Sequence, residues 1–143
     1  MRKNKLKKKV AIVFGVTANY VFALANVLIG MKKYSIFWDD IIVYHDNIDV
    51  ETQGNIGKIL PCIFKKMPVE KIEGSVNAES LKNYSYLTMA RFECFDILND
   101  YEYVIWHDVD ILIQKEFSNL LNSAKKTGFA LTYDDQFCVE QNF

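Results

Sequence analysis

Residues 10–31 read VAIVFGVTANYVFALANVLIGM, a run interrupted at Gly15-Val16-Thr17-Ala18-Asn19, with Val10–Val16 reading as a strand and the residues beyond the break as a helix. The run carries no charge and is flanked by lysines on both sides. It is long enough to cross a bilayer, and its basic approach has the look of a signal anchor. Its internal grammar argues otherwise. Before the interruption it is rich in Val and Ile, as a strand buried on both faces is. After it come Ala, Leu and Met, which favour helix. A strand, a turn and a helix account for the break, whereas one spanning helix leaves it unexplained.

Outward from this stretch the same alternation continues. Asn19 is placed to cap the helix that runs to about Lys33, with Lys32 and Lys33 at its negative end. Ile41–Tyr44 reads as a second strand, closed by His45-Asp46-Asn47. Asp49 is placed to cap a helix through Ile59, and Cys62–Phe64 reads as a third strand. Residues 65–83 are mostly polar and irregular. Leu87, Ala90, Cys94 and Leu98 then share one face of a helix over Ser85–Leu98. Tyr103–Trp106 is a fourth strand, Glu116–Leu121 a short helix and Phe129–Tyr133 another strand. Strands alternating with helices predict an α/β domain with a mostly parallel sheet and helices on both faces.

The chain of 143 residues is the size of one domain, and half of it is apolar. Its net charge of −1 conceals an asymmetry. Arg2, Lys3, Lys5, Lys7, Lys8 and Lys9 make a basic tip over residues 1–9; the remainder has 11 basic and 18 acidic residues. An acidic body disfavours nucleic acid as a partner. The tip is either a solvated terminus or a peripheral contact with anionic lipid. Cys62, Cys94 and Cys138 are odd in number and scattered, which fits a reducing, cytoplasmic setting and small core residues, and no spacing of zinc-site type occurs.

Parallel sheets bind ligands beyond the carboxyl ends of their strands. Two polar spots fall there. His107-Asp108-Val109-Asp110 follows the fourth strand and precedes Ile111-Leu112-Ile113. Ten Asp in this chain give about 0.7 Asp-x-Asp pairs by chance, so the bare motif is weak. Its place at a strand tip between apolar runs strengthens it. Side chains i and i+2 share a face of a strand, and a bend after Asp108 brings two carboxylates to one point. Oxygen ligands of this kind suit Mg²⁺ or Mn²⁺, which would tie the protein to a diphosphate.

The second spot is Gly15–Tyr20, where Asn19 is a cap or a base contact and Tyr20 a core ring or a stacking platform. Arg91, within the apolar helix Tyr86–Phe92, is an anion partner or a surface residue with a packed stem. His45 and His107 read as structural. Neither a dinucleotide fingerprint nor a phosphate-binding glycine loop is present.

Together these segments resemble family 8 glycosyltransferases, of the Rossmann-like GT-A fold, relatives of bacterial lipooligosaccharide galactosyltransferases and of glycogenin. Members open with a strand like IVFA-x-D-x-N-Y; here it is Ile12-Val13-Phe14-Gly15-Val16-Thr17-Ala18-Asn19-Tyr20. Their T-Y-A-R-L/F helix corresponds to Thr88-Met89-Ala90-Arg91-Phe92. Their V-L-Y-L-D-x-D-x-L-V corresponds to Val104 through Ile113. Their following strand, G-A-x-x-D, is similar to Phe129–Asp134. The likeness covers roughly residues 10–135.

The resemblance implies a retaining hexosyltransferase that moves galactose or glucose from a UDP-sugar to a saccharide acceptor, as in lipopolysaccharide biosynthesis. It implies Mn²⁺ or Mg²⁺ on Asp108 and Asp110. Donor contacts would come from Gly15, Thr17, Asn19, Tyr20, Arg91, Asp108, Val109 and Asp110, and Asp134 would sit near the sugar. Residues 10–143 would then be the front part of a nucleotide-sugar-binding domain. Two departures stand out. Thr17 occupies a position where the family commonly has an acid that reads uracil. The family's third metal ligand, a His, and most acceptor contacts lie C-terminal to the last strand here, so the chain is expected to be a truncated form with weak turnover. A non-catalytic remnant and a protein anchored through residues 10–31 remain the competing expectations.

Overall fold

The computed structural model describes residues 8–34, 37–67 and 86–130. Lys8–Val16 form β1 and Val21–Tyr34 form α1, joined through a 3₁₀ turn at Ala18–Tyr20. The helix α1 has 14 residues, about 21 Å at 1.5 Å per residue, well short of the ~30 Å hydrocarbon core. No helix among the described residues is long and apolar enough to cross a membrane. Residues 10–31 are thus a strand, a turn and a helix, and not one span.

Asp40–His45 form β2, Val50–Gly57 form α2, and Ile63–Lys66 form β3. After the residues outside the description come a 3₁₀ segment at Tyr86–Phe92, the short helix α3 (Glu93–Ile97), β4 (Tyr101–Trp106) and α4 (Asn119–Thr127). The four strands make one sheet in the order β3-β2-β1-β4, every pair parallel.

The alternation along β1 explains the layers. Ile12, Phe14 and Val16 join Leu24, Val27, Leu28 and Met31 of α1 and Ile41 and Val43 of β2 in one core. Ala11 and Val13 face the other way, with Ile42, Tyr44, Leu87, Ala90, Ile97 and Tyr101. A strand buried on both faces must read as a continuous apolar run, as Val10–Val16 does. Helices cover both faces, as the alternation predicted.

Three expectations shift on contact with the structure. Asn19 does not cap α1: the turn starts one residue after Thr17, whose side chain makes no capping bond, and the exposed amide of Ala18 is taken by Asp46 Oδ1 at 2.9 Å. The parallel register sets the end of β2 beside the end of β1 (Val16 opposite His45), so a carboxylate from the neighbouring strand supplies the acceptor. Residues 85–98 are not one α-helix. The 3₁₀ stretch has three residues per turn, which puts Leu87 and Ala90 inward and then Ile97, leaving Leu98 exposed. The helix expected at 116–121 runs instead from Asn119 to Thr127 and closes on Gly128 at φ 79°, whose amide bonds the Ala124 carbonyl at 2.7 Å.

Asp49 does cap α2, with Oδ1 accepting from the Thr52 amide at 2.8 Å. The third strand starts at Ile63, one residue later than expected, and β1 begins at Lys8, inside the basic tip. Of the strand expected at Phe129–Tyr133, Phe129 and Ala130 are not in a strand, and the rest lies outside the described residues.

Candidate functional site

All four strands point the same way, so Val16, His45, Lys66 and Trp106 end at one edge. The strand order reverses at β1: the chain adds β2 and β3 on one side and returns to place β4 on the other. This is the switch point at which open parallel sheets receive ligands. The turn Thr17–Tyr20 lies on one lip of it and His107–Asp110 on the other.

The segment after β4 is shaped by its apolar residues. The His107 amide donates to the Val13 carbonyl at 3.0 Å, extending the ladder by one step. Beyond it the chain bends at Val109-Asp110. Val109, Ile113 and Phe117 pack against the α1-side core, and Ile113 lies over Gly30, where a Cβ would come within 2.8 Å of the Ile113 Cβ. With Val109 turned inward, Asp108 and Asp110 are both left exposed.

Trp106 Nε1–H donates to Asp108 Oδ1 at 3.0 Å. No other hydrogen bond or ion pair from the described residues reaches either carboxylate. The donor set is therefore Asp108 Oδ2 and the Asp110 carboxylate, open to solvent. Two hard anionic oxygen ligands without a protein cation fit Mg²⁺ or Mn²⁺. Among the described residues no cluster of three or more ligating side chains occurs, so such an ion would draw its remaining ligands from elsewhere.

Arg91 is exposed, and its Nε donates to the Thr88 carbonyl at 3.0 Å. Its guanidinium lies 5.7 Å from the centre of the Trp106 ring, within cation–π range. The anionic partner expected for it is absent among the described residues, so its charge remains available to an incoming anion. Tyr20 is 54% exposed and stacks on Phe22 with ring centres 5.9 Å apart; it is a surface ring, and not core. Thr17 is half-buried and Asn19 exposed beside it. At Gly15 a Cβ would lie 2.8 Å from both the Leu87 carbonyl oxygen and Trp106 Cη2. Its smallness serves the packing of β1, and any ligand contact there would use backbone. Asp134 lies outside the described residues.

Both histidines are structural. His107 is buried between Phe14 and Phe117, and its Nδ1 lies 2.7 Å from the Asp108 carbonyl. Burial holds its pKa below the ordinary value, against smaller opposing effects of that carbonyl and of the Asp108 charge. His45 is buried at the end of β2 and accepts the Ile48 amide at Nδ1, 3.1 Å away; burial lowers its pKa too. Burial pushes the thiols up, to about 12 for Cys62 and about 11 for Cys94, so neither is a nucleophile near neutral pH.

Two site residues escaped the sequence reading. Asp46 pins the Thr17–Tyr20 turn through the Ala18 amide, and it also accepts from the Asn47 amide at 2.6 Å. Trp106 read as strand hydrophobe, yet its indole donates to Asp108 and carries Arg91 over its face. An acid just past a strand end was a visible signal for the first. The second needed coordinates.

An open parallel sheet with helices on both faces, and with two exposed acids and an exposed arginine near its switch point, defines a Rossmann-like α/β protein. Within it, the chain belongs to glycosyl transferase family 8, whose sequence pattern matches residues 11–142. The fold is similar to that of the galactosyltransferase LgtC in complex with donor and acceptor sugar analogs, at 19% identity and a TM-score of 0.62; the match covers 77% of this chain and 41% of that one. An active-site mutant of LgtC matches with the same values. The chain thus spans less than half the length of these structures. A search of curated proteins finds no match in sequence.

Proposed function

We propose that this chain supplies the donor-binding part of a retaining, metal-dependent transferase that takes galactose or glucose from a UDP-sugar and passes it to a saccharide acceptor. The observation that carries the proposal is the pair of exposed carboxylates, Asp108 and Asp110, at the tip of β4, with the Arg91 guanidinium over the Trp106 ring whose N–H holds Asp108. Carboxylates repel a diphosphate and a guanidinium attracts one, so the pair is useful to such a ligand only through a cation. Mn²⁺ or Mg²⁺, when bound, would offset the charge that develops on the departing diphosphate.

The chain's own residues hold and orient the donor. Asp108 and Asp110 fix its diphosphate end, Arg91 faces the sugar–phosphate side, and Asn19 with the exposed Tyr20 ring meets the base across the switch point. In the transfer, the bond from the anomeric carbon to the diphosphate oxygen breaks, with its electrons leaving on UDP. An acceptor hydroxyl forms the new bond on the same face and passes its proton to the departing diphosphate oxygen. Membership of the family and the donor and acceptor analogs bound by LgtC support this reading.

Calorimetry with UDP and Mn²⁺ tests it on the wild type and on Asp110→Ala. The metal is expected to strengthen UDP binding, and the Mn²⁺-supported affinity to weaken at least about tenfold in the variant, a loss of about 1.4 kcal/mol. Equal binding by both proteins would remove the metal bridge.

A further inference from the structure

We infer that Trp106 is a positioning residue: it presets Asp108 for a divalent cation and holds Arg91 against the same ring. The inference rests on the donor and metal reading above and adds a residue that the reading does not assign.

An exposed aspartate is free to populate several staggered side-chain wells, and a metal ligand that must be frozen on binding loses affinity. Here the indole N–H, a donor only, takes Asp108 Oδ1 at 3.0 Å. One oxygen is thereby anchored, and no hydrogen bond from the described residues holds the other. The anchor is itself rigid. Trp106 is half-buried and packs with Met89, Cys94 and Val104 against the core formed by Ala11, Val13, Leu87 and Ala90. Its Cη2 atom occupies the space that only a glycine at position 15 leaves open.

The face of the same ring carries Arg91, its guanidinium 5.7 Å from the ring centre and its Nε tied to the Thr88 carbonyl. A negative group for the cation and a positive group for the anion are thus oriented by one indole before any ligand arrives. Where the family pattern has a tyrosine, this chain has Trp106, whose N–H lies at the ring edge and reaches two residues along the chain. Such outer partners of metal ligands typically account for 10–100-fold in metal affinity.

Trp106→Phe keeps a ring face for Arg91 and removes the donor. The measurement is Mn²⁺ affinity of the full chain at saturating UDP, read from the electron paramagnetic resonance of free Mn²⁺, with UDP affinity in EDTA as the companion. The expected result is a roughly tenfold rise in the Mn²⁺ dissociation constant with the metal-free UDP affinity unchanged. Equal Mn²⁺ affinity in variant and wild type, or a parallel loss of both affinities, overturns the positioning role while leaving the donor reading in place. Absence of UDP-dependent Mn²⁺ binding in the wild type overturns both. A second measurement needs no variant. Trp38 precedes β2 and lies at the opposite end of the sheet from Trp106, so one of the two indole N–H resonances should shift when Mg²⁺ is added with UDP. Two unmoved indole resonances in a chain that binds Mg²⁺ would refute the inference.

Discussion

Between the exposed carboxylates of Asp108 and Asp110, the Val109 side chain packs into the α1-side core. That single apolar residue directs both acids outward; the resemblance places Val109 among the donor contacts, and its packing needed coordinates. Gly15 reads as part of the break after the strand and, by resemblance, as a donor contact. Coordinates show the reason for it: the Leu87 carbonyl and the Trp106 ring each stand 2.8 Å from where a Cβ would be. Gly15→Ala is expected to force one of these neighbours aside and to cost about 1–3 kcal/mol, measured by urea denaturation; an unchanged midpoint would show that the neighbours yield freely. Arg91 shows the limit of the residue scale. Its place in an apolar segment leaves two readings, an anion partner or a surface residue with a packed stem, and the 3₁₀ geometry of Tyr86–Phe92 carries it to the surface over Trp106.

At the scale of elements, the β1–α1 connection is held by the strand beside it. Asp46 takes the Ala18 amide that no residue of the turn itself accepts. Asp46→Ala should therefore cost about 1 kcal/mol, as loss of a helix-start acceptor typically does, and should raise hydrogen exchange at Ala18 more than in α2, which carries its own Asp49 cap. His45 closes β2 from the same edge. Burial lowers its pKa below the unfolded value, so in the window beneath that ordinary value the unfolded chain binds the proton and the native chain resists it. Stability is then full above that value and falls as the pH drops through it. A melting series from pH 7.5 to 5.5 should decline, and His45→Asn, which keeps an acceptor for the Ile48 amide, should decline less steeply.

At the scale of the molecule, the four parallel strands among the described residues carry two cores that meet at β1, and α1 closes one of them through Leu24, Val27, Leu28 and Met31. Leu24 is fully buried there. Leu24→Ala is expected to cost about 2–5 kcal/mol without altering which strand ends face the cleft; calorimetric melting checks the first, and retained UDP–Mn²⁺ binding below the transition checks the second. The sequence alone determined the class of fold, because a strand buried on both faces must be apolar throughout and a crossover helix must show a different period. It also located the acid pair, because charge at the tip of such a strand has few places to go. Only the tertiary structure decided that Asp46 serves the neighbouring strand's turn and that one indole orients both Asp108 and Arg91. Those contacts join residues 28 apart (Asp46 with Ala18) and 15 apart (Arg91 with Trp106), and their geometry comes from strand register and helix phase, which no local pattern encodes.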